Sequence, residues 1–420
     1  MITSAVFVIL LFGAVPIAMV LGLVAIVYIL ESGNLILFDS FAQQMFSGLE
    51  NYGLLAIPLF MLTGELMNEG GVTSRLIAAA RVFVGGFRGG LAWINIVANM
   101  FMAAIIGSAV SQIAIMSRAM VPAMEKDGYD KGFAAATTAA GGLLAPVIPP
   151  SMLFVIFAVL AQVPVGDMFL AGILPGILMF IGFVLVICCI GFFSPFPEGK
   201  WMSRSESVSA LLACIPAMFI PAAIIGGILM GIATPTESAA VASVIAFVLG
   251  KFLYREIHMS DMATVFVRTA RNSALVIFMI AAANVFGWVV IYEALPQKLA
   301  AFITSVTSDP FVFLLIVNVV LLIVGMLIDG IAAIILVTPI LLPIAMSSYS
   351  ISPLQFGVVV SINLTLGLLT PPVGIGLYIA SAMAEVKPTR IFRKLWPFLL
   401  ATLIILVTLS GVPWLSTAFV

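Results

Sequence analysis

Two proline pairs, Pro149-Pro150 and Pro371-Pro372, interrupt long apolar stretches at matching places in the two halves of this chain. Proline has no backbone N–H and cannot continue a helix, so each pair is expected to leave carbonyl groups unpaired. In hydrocarbon an unpaired backbone group costs several kcal/mol unless protein, water or an ion satisfies it. A simple kink would also explain one such pair. Two pairs in corresponding positions, each flanked by glycines, favour a binding site built from carbonyl oxygens.

Asp329 is the only charged residue between Asp309 and Glu385. A carboxylate at membrane depth costs roughly 2.5–3.5 kcal/mol on insertion scales and should be paired. No Lys or Arg lies in that window, so a bound cation is the natural partner. The Thr370 hydroxyl and the carbonyls of a broken helix would complete a hard oxygen site of the kind that holds Na⁺ or H⁺. The first half has Ser108 in place of the carboxylate, and because a proton cannot be held by a serine and carbonyls, we predict Na⁺.

The composition indicates that these residues lie inside a membrane protein. Of 420 residues, 63% are hydrophobic and 8% are charged, and the mean hydropathy is +1.28. Soluble proteins average roughly 45–50% apolar and about 25% charged residues. A span needs about 20 apolar residues, so we expect roughly 10 to 12 crossings of the lipid bilayer with one or two re-entrant pieces. The net charge of −1 and the lack of a basic face exclude nucleic acid as a partner.

The two halves of the chain are predicted to be repeats. Ser108 and Asp329 lie 221 residues apart, and the two proline pairs lie 222 residues apart. Chance could produce such spacing in a chain with 23 prolines and 35 glycines, but four prolines in near-constant register weigh against it. The loops 126–131 and 387–394 are basic, whereas their counterparts 347–353 and 163–168 are not. Because basic loops face the cytoplasm, the two copies are predicted to have inverted topology.

We therefore expect one membrane domain, 1–420, that is all-α and polytopic. The stretch 89–117 is uncharged and is bounded by Arg88 and Arg118, so a re-entrant hairpin would keep both basic ends on one face, whereas a single tilted span would separate them. The predicted tips are Gly107-Ser108 and Asp329-Gly330. The predicted units are a first inverted repeat at about 1–200, with a hairpin at 89–124 and a broken helix at 132–162, and a second repeat at about 207–420, with a hairpin at 312–346 and a broken helix at 354–384.

Other polar residues are expected to have structural roles. Glu237 follows a Thr-Pro-Thr sequence and is interpreted as a first-turn acid that caps a helix. Glu65 either makes a polar contact inside the protein or lies at a helix end near Glu69. His258 is interpreted as a loop residue and the three cysteines as packing residues. With one His, no HExxH, no GxSxG and a single deep Asp, the chain lacks the groups of an intramembrane hydrolase and is not expected to be an enzyme.

Several segments taken together resemble the large membrane subunit of TRAP transporters, the tripartite ATP-independent periplasmic carriers. The segments are IPLFMLTGELM (57–67), GGLLAPVIPPS (141–151), GIATPTESAAVAS (231–243), GMLID (325–329) and GLLTPPVG (367–374). The resemblance covers nearly the whole chain. It implies an elevator-type fold in the bacterial inner membrane, Na⁺ coupling, a small four-helix membrane subunit and a periplasmic binding protein that delivers an organic acid. Since this chain begins directly at the large subunit, we expect the small subunit to be a separate polypeptide.

The resemblance also implies two or more Na⁺ sites. Carried over by residue, one site comprises Ser108 with backbone oxygens of Val147, Pro149 and Pro150, and the other comprises Asp329 with Gly325, Thr370 and Val373. The substrate would lie between the two tips. Its candidate ligands are Ser111, Gln112 and Asn363, together with helix N-termini. Arg118 is expected at the basic end of the hairpin.

The predicted function is therefore Na⁺-coupled import of a small organic acid, such as a sialic acid or a dicarboxylate, delivered by a binding protein. The alternative is a stand-alone Na⁺/carboxylate symporter of the elevator type that works without a binding protein. A subunit that only anchors other proteins would not need paired breaks in mid-membrane.

Overall fold

The computed structural model describes residues 2–13, 15–193 and 196–420, and within these ranges every regular element is a helix. The helices of the first half are α1 (Ile2–Phe12), α2 (Ile17–Ser32), α3 (Leu37–Ser47), α4 (Ala56–Glu69), α5 (Val72–Val84), α6 (Gly90–Ile106), α7 (Ala109–Lys126), α8 (Lys131–Gly142), α9 (Met152–Ala161) and α10 (Val165–Phe193). The second half contains α11 (Arg204–Leu229), α12 (Pro235–Val248), α13 (Met259–Tyr292), α14 (Leu295–Val306), α15 (Pro310–Leu327), α16 (Gly330–Tyr349), α17 (Pro353–Gly367), α18 (Ile375–Ala384), α19 (Pro388–Gly411) and α20 (Trp414–Thr417). Short turns of 3₁₀ and π helix occupy Tyr52–Leu55 and Leu249–Leu253.

The all-helical membrane fold predicted from composition is confirmed, but the number of full-length spans is smaller than expected. Over the residues described, seven helices are long and apolar enough to cross a membrane, or eight if the bent pair Leu37–Ser47 and Tyr52–Glu69 is one span. Five other apolar helices have only 10 to 17 residues. A helix of ten residues is about 15 Å long, half the hydrocarbon thickness, so the uncharged windows contain half-length pieces as well as spans.

The half-length pieces belong to two hairpins and two broken helices. Helices α6 and α7 form a hairpin whose tip is Gly107-Ser108, and the tip between α15 and α16 contains Asp329. The first break separates α8 from α9, and the second separates α17 from α18. Both proline pairs lie in these breaks, and each contains a cis peptide bond.

The first arms of the broken helices form the centre of the protein. Apart from its first residue, every residue of α8 is buried, and the same is true of α17. A helix that is buried on all sides needs an apolar or small residue at nearly every position, which the runs FAAATTAAGG and FGVVVSINLTLG supply. The two breaks are therefore held in the protein interior.

The two broken helices run in opposite directions. Arg390, at the start of α19, forms an ion pair with Asp130, which caps α8, so the two basic loops lie together at one end. At the other end Gly357, in the first turns of α17, lies against the side chains of Phe157 and Met168. Helix α8 therefore starts at the end where α18 finishes.

The structure also resolves the two intramembrane acids that the sequence left as structural. Glu237 and Thr234 form a capping box at the start of α12, which confirms the capping interpretation. Glu65 bonds to Arg268 on α13 at 3.0 Å, so its role is a polar contact between two helices.

Candidate functional site

The two hairpin tips share a small cavity at the level of the breaks. It has a volume of about 40 Å³, room for a very few water-sized particles. Ser108 and Asp329 line it from the two tips, and Pro146 and Thr365 line it from the two breaks. The sequence predicted that the tips face each other, and both side chains do reach one space.

The first tip is packed directly on the first break. Gly107 has φ +62°, and a Cβ atom placed on it would lie 2.6 Å from the carbonyl oxygen of Pro150. The N–H of Met152 donates to the Gly107 carbonyl at 3.1 Å. The Pro146 carbonyl, left without a helical donor by the break, accepts from the Ser151 hydroxyl at 2.5 Å. The break is thus partly satisfied by its own chain, and the Pro150 carbonyl remains against the tip.

The remaining predicted ligands of the first site are less close to the tip. The Val147 carbonyl lies against α10, because a Cβ atom on Gly172 would meet it at 2.6 Å. Val147 does not line the small cavity, and neither does Pro149. The structure thus brings Ser108 and Pro150 together, while the carbonyl of Val147 lies on another side of the break.

The second tip is held against the second break by close backbone contact. Gly325 on α15 and Gly367 on α17 touch so closely that a Cβ atom on Gly367 would lie 2.6 Å from the Gly325 carbonyl carbon. The N–H of Gly374 donates to the Met326 carbonyl at 3.2 Å. Three of the predicted ligands, Gly325, Thr370 and Val373, therefore belong to one packed region beside Asp329.

Asp329 caps α16 without a cationic partner. Its Oδ2 accepts from the N–H of Ile331 at 3.0 Å. No Lys or Arg side chain within the described ranges forms an ion pair with it. The Thr370 hydroxyl donates to the Leu366 carbonyl at 2.8 Å, which leaves the lone pairs of its oxygen for another partner. The local groups can therefore offer oxygen ligands to a small hard cation.

A second, larger cavity of about 520 Å³ opens beside the tips, a size typical of small-molecule sites. Helices α7, α9 and α16 form one wall, and α4 and α13 form the other. The polar residues of the first wall are Ser108, Ser111, Arg118 and Asp329, and those of the second are Glu65, Asn68, Arg268 and Asn272. The tips thus lie in both cavities, and an ion at the tips would touch the space available to a larger ligand.

The two arginines of the larger cavity have different surroundings. Arg268 bonds to Glu65 at 3.0 Å and to Glu69 at 3.2 Å. Arg118, by contrast, has no carboxylate partner among the residues placed by the structure, and its Nε lies 3.3 Å from the sulfur of Met383. The expectation that Arg118 marks only the basic end of the hairpin is therefore incomplete, because its side chain lines the cavity wall.

Of the three predicted substrate ligands, only Ser111 reaches the cavity. Gln112 is fully buried and donates to the Asn99 side chain at 2.9 Å. Asn363 is 1% exposed and donates to the Asn318 side chain at 2.9 Å. Gln112 and Asn363 thus join hairpin arms to neighbouring helices, and neither lines a cavity beside the tips.

Sequence reasoning missed the wall formed by α13. Its cavity residues, Arg268, Asn272, Val276 and Met279, recur at helical spacing, as do Ser111, Ile115 and Arg118 on α7. A search of the apolar helices for polar residues repeating every three or four positions would have found both faces.

Comparison with known proteins gives a consistent result. Residues 4–415 match the family described as tripartite ATP-independent periplasmic transporter, DctM component. The chain is 35% identical to the sialic acid TRAP transporter large permease protein SiaM of Vibrio cholerae, over 96% of this chain and 94% of that protein. It is also 35% identical to the isethionate TRAP transporter permease protein DctMQ of Oleidesulfovibrio alaskensis, over 96% of this chain and 64% of that longer protein. Among solved structures, the YdaH transporter of Alcanivorax borkumensis has a similar fold, with a TM-score of 0.66, 16% identity and coverage of 92% of this chain and 90% of that chain.

Proposed function

This chain belongs to the DctM component family of tripartite ATP-independent periplasmic transporters, as a multi-pass protein of the bacterial inner membrane, and we propose that it couples Na⁺ entry to import of a small organic acid. The observation that carries the proposal is that Ser108 and Asp329, at the two tips, line both a small cavity and a larger one. An ion held at the tips and an acid held in the larger cavity would be in direct contact. That contact is what coupling requires.

The charges of the larger cavity support this coupling. Its walls contain two arginines, Arg118 and Arg268, and two carboxylates, Glu65 and Asp329, so their formal charges cancel. An organic anion gains little net attraction from such a site. Each Na⁺ bound at the tips adds one positive charge beside it, and the attraction is stronger in a partly desolvated cavity than in water. The acid is therefore expected to bind well only after Na⁺ has bound.

We further propose that two other components complete the carrier, since the family is tripartite. One is a small four-helix membrane subunit, and the other is a periplasmic protein that delivers the acid. The length difference between this chain and the relative named DctMQ suggests that the extra part of that relative corresponds to the small subunit. The substrate class is a carboxylate, of which sialic acids and dicarboxylates are the first to test.

The test is uptake of N-acetylneuraminate and succinate into proteoliposomes that contain this chain, its small subunit and its binding protein. We expect uptake to require Na⁺ and to be abolished by Asp329→Asn. Asp309→Asn is the matched control, because Asp309 also caps a helix, α15, but does not line either cavity beside the tips. Uptake at full rate without Na⁺ would refute the coupling. Uptake without the binding protein would instead indicate a stand-alone symporter.

A further inference from the structure

We infer that Arg118 binds the acidic group of the substrate and makes this carrier select carboxylates over their neutral analogues. The inference rests on the proposed function, because it places the transported acid in the larger cavity. It adds a residue that neither the motifs nor the relatives' names assign.

The position of Arg118 is the first argument. It lies on the cavity face of α7, with Ser108 and Ser111 on the same face. Ten residues of helix separate Ser108 from Arg118, a rise of about 15 Å along the wall. An acid bound at Arg118 can therefore extend along α7 toward the tips, where Na⁺ is proposed to bind.

The lack of a partner is the second argument. The other arginine of the cavity, Arg268, is held by Glu65 and Glu69 and has little capacity left for an anion. For Arg118 the structure shows no carboxylate in the described part of the chain, and the thioether of Met383 is only a weak acceptor. Arg118 is therefore the cavity cation with donors available to a ligand.

The chemistry of the side chain is the third argument. A guanidinium group is planar and always charged, and it can donate two parallel hydrogen bonds to one carboxylate. A lysine at the same place would keep the charge but lose the paired bonds. This difference separates specific recognition from a residue whose charge only sets the orientation of the hairpin in the membrane.

The experiment measures binding of N-acetylneuraminate, its neutral methyl ester and succinate to the detergent-purified complex of this chain with its small subunit, in saturating Na⁺. Omitting the binding protein removes its own selectivity from the measurement. We expect the wild-type complex to prefer the acid to the ester. Loss of charge-assisted hydrogen bonds in Arg118→Gln should weaken acid binding roughly 30-fold and remove that preference. Arg118→Lys should fall between the two.

The matched control is Arg88→Gln, at the other basic end of the same hairpin. Arg88 donates to the Phe196 carbonyl at 3.4 Å and does not line the cavity, so its variant should bind the acid as the wild type does. Thermal unfolding of each variant checks that the fold is intact. Acid binding and acid preference that survive in Arg118→Gln would overturn the inference alone. A wild-type complex that binds no carboxylate in Na⁺ would overturn the proposed function together with it.

Discussion

Replacing Gly107 by alanine should weaken the first Na⁺ site more than it weakens the fold. The added methyl group would lie 2.6 Å from the Pro150 carbonyl oxygen, and real Cβ atoms essentially never approach closer than 3.0 Å. The tip must therefore move away from the break by at least 0.4 Å, the difference between these two distances. Ligand distances in an ion site are fixed to within about 0.2 Å, so we expect roughly tenfold weaker Na⁺ activation, or about 1.4 kcal/mol.

Gly33→Ala is the control that isolates the collision. Gly33 has φ +68° at the end of α2, nearly the backbone conformation of Gly107 at the end of α6, but a Cβ atom added to Gly33 would have no neighbour within 4 Å. Both variants incur the cost of a left-handed alanine, about 1–2 kcal/mol, and should lower the melting temperature similarly. The Na⁺ concentration for half-maximal uptake should change only in Gly107→Ala. Equal half-maximal concentrations in the two variants would refute the proposed role of the Pro150 carbonyl.

Two further predictions concern stability. Gly367→Ala places a methyl group against the Gly325 backbone, which cannot rotate away, so the helices must separate at a cost of about 1–3 kcal/mol that thermal unfolding will show as a lower melting temperature. Asp130→Asn keeps the cap of α8 and loses only the partly exposed ion pair with Arg390, a change of less than about 1 kcal/mol, whereas Asp130→Ala also loses the cap, at about 1 kcal/mol more. Burial raises the pKa of Asp130, but the bonds from Arg390 and a backbone N–H outweigh it and hold the pKa below its usual value. The ion pair should therefore stabilise the fold above about pH 4 and lose its effect as the pH falls through the lowered pKa, and Asp130→Asn should remove that part of the acid sensitivity.

The sequence located the breaks and the tips because their physical cause is local. A proline pair ends a helix wherever it occurs, and an isolated carboxylate such as Asp329 in a long uncharged window signals a site without any knowledge of the fold. The positions of the basic loops likewise follow from composition alone. The contact between Arg390 and Asp130 shows these loops at one end, as charge indicated.

The walls of the larger cavity could not be predicted in the same way. Arg118 and Arg268 belong to helices far apart in sequence, and their opposition depends on how α7 packs across from α13. Gln112 and Asn363 illustrate the converse, because polar residues near a tip can be used entirely to join helices in the interior. Charge-free length also overstated the number of spans, since it does not distinguish one crossing from two half-length helices that meet inside the protein.

The cap that Asp329 makes on α16 bears on the return of the carrier after its cargo has left. The carboxylate keeps a partner within the chain, the N–H of Ile331, when no cation is bound. The empty tip can therefore hold its shape instead of unwinding in search of other donors. Emptying the site then changes the charge of this region more than its conformation, and the unloaded protein can travel back through the lipid as an already folded unit.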